Sequence, residues 1–113
     1  TIEVMPPTHP APGYYYHYKH DPEGPINNYA YEVMGVGHHT EDDAREIDKY
    51  VVVYRPLYEA FVYTNGKMFD IRPLTMFMET IEKGGVTKNR FSKITDESVL
   101  NELATIATKM YGV

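Results

Sequence analysis

The sequence predicts a mainly β domain: a small, strongly bent antiparallel sheet or SH3-like barrel with one C-terminal α-helix. Three observations predict it. Short stretches rich in Tyr, Val, Ile and Phe recur along the chain, separated by Gly, Pro and Asn clusters. The apolar period becomes helical only after Thr95. The 113 residues, 42% of them apolar, suffice for one modest core and not for two.

The elements follow in order. Residues 1–13 contain Pro6, Pro7, Pro10 and Pro12 and read as an extended proline-rich arm. Residues 14–94 make the barrel-like β domain. From Tyr14 to Lys19 the chain alternates, with Tyr14, Tyr16 and Tyr18 on one side and Tyr15, His17 and Lys19 on the other. A loop rich in Pro, Gly and Asn runs to Asn28, and Tyr29 to Gly37 is a second strand that Gly35 and Gly37 allow to bulge or curve. The acidic run from His38 to Lys49 is a surface connection with room for one helical turn. Tyr50 to Arg55 is the most apolar strand, and Val51, Val52 and Val53 in succession place it centrally, buried on both faces. Phe61–Thr64 and Lys67–Ile71 flank Asn65-Gly66, a strong hairpin signal. Met76–Glu82 and Val86–Phe91, around Gly84-Gly85, read as a final hairpin entered through a short helical turn. In residues 95–113 Thr95 is placed to cap a helix. Val99, Leu100, Leu103, Ile106, Ala107 and Met110 form one apolar stripe, which covers the barrel, and Gly112 ends the helix.

Composition narrows the function. There is no cysteine, so a disulfide framework, a thiol nucleophile and a cysteine zinc site are excluded, and a reducing, cytoplasmic setting is expected. The formal charge of −5 disfavours non-specific nucleic-acid binding, which draws its affinity from neutralising phosphates. No apolar run spans a bilayer, no secretory leader pattern is visible, and no membrane association is expected. Eleven Tyr with four Phe and no Trp suit a small barrel whose rings pack inside while hydroxyls reach the rim.

The candidate site rests on two Arg-Pro steps, Tyr54-Arg55-Pro56-Leu57-Tyr58 and Arg72-Pro73-Leu74. Proline pushes the preceding residue into an extended conformation, so Arg55 and Arg72 are expected at strand ends beside aromatic rings and facing one shared hollow. Such forks suit a carboxylate or phosphate; the competing role is to brace carboxylates such as Glu32, Glu59 or Glu79. His17 and Lys19, on one side of the first strand and about 7 Å apart, would extend a cationic site. Tyr54, Tyr58, Phe69 and Phe77 would supply a stacking wall, with at least two of them simply buried. His39 and Glu41 form a second candidate, as a loop-fixing hydrogen bond from His39 to Glu41 or as a general-base dyad. Adjacent His38 and His39 on a strand would point to opposite faces, so no metal site is assigned.

The same residues resemble the bacterial family called domain of unknown function 1653. The resemblance is carried by Tyr15-Tyr16-His17-Tyr18-Lys19, Tyr31-Glu32-Val33-Met34-Gly35-Val36, His39-Thr40-Glu41, Val52 to Tyr58, Arg72 to Phe77 and Arg90-Phe91, in that order over residues 13–94. The chain departs from the family pattern in a longer Asp21–Asn28 loop and in Asp70, where an aromatic residue is usual before the Ile71-Arg72 step. The resemblance implies the fold and the site's location but no reaction.

The reading preferred from the sequence is a binding module. Arg55, Arg72, His17, Lys19, Tyr54, Tyr58, His39 and Glu41 are its candidate ligand-binding residues, for a small anionic or nucleotide-like ligand, with no cofactor. The alternatives are a small hydrolase with His39–Glu41 or His17 as general base, and a protein-interaction module using the C-terminal helix or the proline arm.

Overall fold

The computed structural model describes residues 9–112 of the chain. Five strands form one antiparallel sheet in the order β4-β3-β2-β1-β7: β1 Gly13–His17, β2 Ala30–His38, β3 Tyr50–Pro56, β4 Asp70–Pro73 and β7 Phe91–Lys93. A separate hairpin joins β5 Thr80–Lys83 to β6 Val86–Asn89, and the chain ends in helix α3, Glu97–Tyr111. The fold is therefore mainly β with one C-terminal helix, as expected. The sheet is curved but does not close into a barrel, because β4 and β7 are edges that no strand among the described residues joins. The bend has a local cause: the β2–β3 register slips between Val33 and Gly35, a bulge that inserts Met34.

Several boundaries differ from the sequence reading. Phe61–Thr64 is not a strand but a helical turn, α1. The Thr64 hydroxyl and the Asn65 side-chain amide both bond the Phe61 carbonyl, and the amide of Met68 returns to Val62, so local bonds replace a ladder. The hairpin expected about Asn65-Gly66 is thus absent, and β4 pairs instead with β3. Arg90 splits the expected Val86–Phe91 strand, and its second piece, β7, leaves the hairpin to pair with β1. The Gly84-Gly85 turn forms as expected, with φ of 60° and 78° at its two central residues, the backbone that a two-residue hairpin requires. The acidic connection carries a 3-10 turn at Glu46–Asp48, and helix α2, Leu74–Phe77, precedes β5. β3 lies between β2 and β4, although only Val52 of its three valines is fully buried. Of the proline-rich arm, residues 1–8 lie outside the described residues, while Pro10 is buried and the Tyr15 hydroxyl donates to the Ala11 carbonyl at 2.7 Å.

Strand alternation splits the core into two layers. On one face Tyr15, Val33, Val52, Tyr54 and Phe91 pack under Leu74 and Phe77 of α2. On the other, Ala30, Leu57 and Ile94 pack against Leu103 and Ala107 of α3. The cap of α3 is Asp96 rather than Thr95: its carboxylate accepts from the amides of Ser98 and Val99. At the far end the Tyr111 hydroxyl donates to the Pro56 carbonyl at 2.5 Å, fastening the helix to β3. No helix among the described residues is long and apolar enough to cross a membrane.

Leu103 is fully buried at the centre of the helix contact. Leu103→Ala is expected to destabilise the fold by about 2–5 kcal/mol, measured by urea denaturation. Truncation after Thr95 is expected to prevent cooperative folding, read by near-ultraviolet circular dichroism, because it exposes Ala30, Leu57 and Ile94 together.

Candidate functional site

The two Arg-Pro steps do not face one hollow. In β3 the side chains alternate, so Tyr54 and Arg55 project to opposite faces. Arg55 pairs across strands with Glu32, whereas Arg72 pairs with Val52 and Asp70 with Tyr54. Cross-strand partners share a face. Arg55 therefore lies on the α3 side, and Arg72 lies on the side of Tyr54.

Arg55 is held in place. Its Nε donates to Glu32 Oε1 at 2.9 Å, its Nη2 lies 2.8 Å from the same oxygen, and its guanidinium lies 3.9 Å from the centroid of the Tyr111 ring and 5.8 Å from that of Phe69. This is the bracing role weighed for it, with Glu32 as the carboxylate. Glu79 is braced by Arg90 instead.

Arg72 is in a different state. It is half-buried, its Nε donates to the Tyr54 hydroxyl at 3.3 Å, and its guanidinium sits 5.8 Å from the Phe91 ring centroid. Among the described residues it forms no ion pair. Its terminal nitrogens are thus available to a carboxylate or phosphate. Asp70 lies on the same face; burial raises its pKa, partly offset by Arg72.

A continuous aromatic floor surrounds this cation. Phe91 stacks on Phe77 at 4.1 Å, Tyr31 meets Tyr54 and Phe91 edge-on, and the Tyr31 and Tyr58 hydroxyls bond each other. Burial foremost, then the bond to Tyr58, pushes the Tyr31 phenol well above the ordinary tyrosine range, so it stays protonated. Burial likewise raises Tyr58. His17 sits between Phe91 at 5.1 Å and Tyr29 at 5.7 Å. Burial first, then the positive charges of Arg90, Arg72 and Lys19, lower its pKa to about 4. The ring is neutral at pH 7. Its Nδ1 accepts from the Lys19 amide at 3.2 Å, which leaves the ring proton on Nε2 as a donor. Lys19 itself is exposed beyond the strand and contributes charge rather than contact.

The structure thus brings together Arg72, His17, Tyr54 and Tyr58 and leaves Arg55 on the other face. His39 and Glu41 lie in an exposed loop after β2, lining a separate shallow hollow of about 270 Å³ with His38 and Lys49. There the Glu41 amide donates to His39 Nδ1 at 3.1 Å, so the expected polarity is reversed and the Glu41 carboxylate is not part of that bond. Among the described residues no group of three His, Asp or Glu is placed to hold a metal ion. Besides Phe91, four residues of the cluster lay outside the sequence candidates: Tyr29, Tyr31, Asp70 and Arg90. The Nε of Arg90 is buried and makes no hydrogen bond among the described residues. Tyr31 was legible as a strand residue. The other three join the cluster through cross-strand pairing or loop geometry, which local pattern does not contain.

His17 gives a signed pH dependence. Its folded pKa of about 4 lies below the ordinary histidine value of 6.5, so between these values the unfolded chain binds the extra proton. Its contribution to stability is full above pH 6.5 and is lost as the pH falls towards 4. The stability difference between the wild type and His17→Gln, followed by thermal unfolding, is expected to narrow across that window. A difference constant from pH 7 to 4 contradicts the burial of a neutral imidazole.

A family model described as "Protein of unknown function (DUF1653)" matches residues 13–93. The chain is also similar to the crystal structure of a DUF1653 protein from Bordetella bronchiseptica, with 29% identity and a TM-score of 0.52, over 76% of this chain and 92% of that one. No match was found among curated proteins. The β1 tyrosines and His17, the β3 run to Tyr58, Arg72 and Phe91 all fall within the matched span, and the chain belongs to the DUF1653 family.

Proposed function

We propose that the protein is a binding module that holds the anionic group of a small ligand at Arg72, on the tyrosine-lined face of the sheet. The observation that carries this reading is the contrast between the two arginines. Arg55 is spent on Glu32 and Tyr111. Arg72 is half-buried on an aromatic floor with no carboxylate partner among the described residues. A partly desolvated guanidinium of this kind gains most from a planar or multidentate oxyanion. His17, neutral with its proton on Nε2, and the protonated Tyr58 add uncharged donors beside it. Asp70 on the same face favours a ligand that also carries a hydrogen-bond donor. Such a site needs no nucleophile.

The test separates the arginines. Pyrophosphate, citrate and ribose 5-phosphate serve as probes in thermal-shift titrations at low ionic strength. Arg72→Ala is expected to abolish the probe-induced rise in Tm while changing the Tm of the free protein little. Arg55→Ala leaves Glu32 half-buried without its cation and is expected to cost about 1–3 kcal/mol of stability, with the probe-induced rise retained. A rise that survives Arg72→Ala, or no rise with any probe, refutes the anion site.

A further inference from the structure

We propose that the hollow between Tyr29 and Tyr58 seats a flat heterocyclic ring, so that the ligand of the Arg72 site is nucleotide-like, an aromatic base joined to an anionic group. The inference rests on the anion-binding reading above and specifies what that anion is attached to.

The first support is backbone geometry. Tyr29 has φ of 51°, in the left-handed region that ring-bearing residues rarely occupy. Gly or Asn would make the same turn without strain. A tyrosine therefore adds nothing to the turn, and its ring is what the position contributes. The loop before it is tied to hold that geometry. His20 Nδ1 bonds the Asn28 carbonyl at 2.7 Å, and the Asp21 amide donates to the Asn28 side-chain oxygen at 2.8 Å. Asn27 Nδ2 donates to the Leu57 carbonyl at 2.8 Å, and the His17 amide donates to the Tyr29 carbonyl at 2.9 Å. Strained residues held by their surroundings in this way cluster at ligand sites.

The second support is the hollow itself. It is an open hollow of about 430 Å³ lined by Pro25, Asn27, Asn28, Tyr29 and Tyr58, within the size range of small-molecule sites. Tyr29 is 40% exposed, and its ring centroid lies 6.2 Å from that of Tyr58. The hydroxyl of Tyr58 is tethered to Tyr31, so its ring is fixed. The wall is apolar and aromatic with amide side chains at its edge, a surface that takes a base by stacking.

The third support is continuity with the cation. His17 stacks on Tyr29 and also meets Phe91, the ring over which Arg72 lies. A continuous run of ring contacts through His17 thus joins the two subsites.

Calorimetric titration of the full chain with adenosine 5′-monophosphate and with ribose 5-phosphate tests this. The nucleotide is expected to bind at least about tenfold more tightly, the gain that stacking on one ring supplies. Tyr29→Asn, which tolerates the left-handed backbone and spares the loop, is expected to reduce the nucleotide to the affinity of ribose 5-phosphate and leave the sugar phosphate unchanged. Arg72→Ala should remove both. Equal affinities in the wild type, or nucleotide affinity that survives Tyr29→Asn, overturns the ring seat while the Arg72 site stands. Failure of both phosphates to bind overturns the anion site and the ring seat with it.

Discussion

The antiparallel register of β3 between β2 and β4 is the constraint on which the rest depends. It sets Glu32 opposite Arg55 and Val52 opposite Arg72. Because side chains alternate along a strand, that single register sends one arginine to the helix-covered face and the other to the open aromatic face. A slip of β3 by one residue would turn Arg55 to the open aromatic face. It would also turn Val52 and Tyr54 out of the core and leave Glu32 without a cation. The apolar layer under α2 and the ion pair beneath α3 are therefore enforced by the same pairing, and each makes the other register costly.

The two arginines show how one residue type takes opposite roles. On the α3 side Arg55 has a carboxylate within hydrogen-bond distance and a ring against its flat surface. Its charge is neutralised, and the Tyr111 phenol, raised to about 12 chiefly by burial, remains a hydrogen-bond donor to β3. On the other face Arg72 has the Tyr54 hydroxyl, the Phe91 ring and the charge of Asp70 nearby, and among the described residues it forms no ion pair. Burial foremost, then the positive charges of Arg90, Arg72 and Lys19, holds His17 neutral. A cation without an ion-pair partner among the described residues, with uncharged donors at its side, is what the proposed anion site rests on.

The abundance of tyrosine has a common physical use in this fold. A phenol can bury its ring while its hydroxyl satisfies a carbonyl that no strand reaches. Tyr15 does so for Ala11, Tyr16 for Ile26 and Tyr111 for Pro56. These bonds tie the chain before β1, the Asp21–Asn28 loop and the C-terminal helix to the sheet. Small open sheets lack the long-range ladders that close a barrel, and such tethers substitute for them. The loop held by Tyr16 is the one that sets Tyr29 in its left-handed conformation, so the tethering bears directly on the candidate site.

Much of this was legible locally. Alternation marked β1, β-branched and aromatic residues marked β2, an apolar run marked β3, the Gly84-Gly85 pair marked its hairpin, and the stripe from Val99 to Met110 marked α3 and its buried face, because these signals depend on neighbours within a few residues. Arg72, His17, Tyr54 and Tyr58 were also recognisable as site candidates from residue type and position. The hairpin at Asn65-Gly66 was misread, since side-chain bonds from Thr64 and Asn65 to the preceding turn outcompeted strand pairing. What sequence alone determined was most of the strand segments, the C-terminal helix and a set of candidate residues. Which face each arginine occupies, that β7 leaves its hairpin for β1, and that Tyr29, Asp70 and Arg90 join the cluster were decided only by tertiary structure, because strand register and order are properties of pairs of distant segments and no segment encodes them by itself.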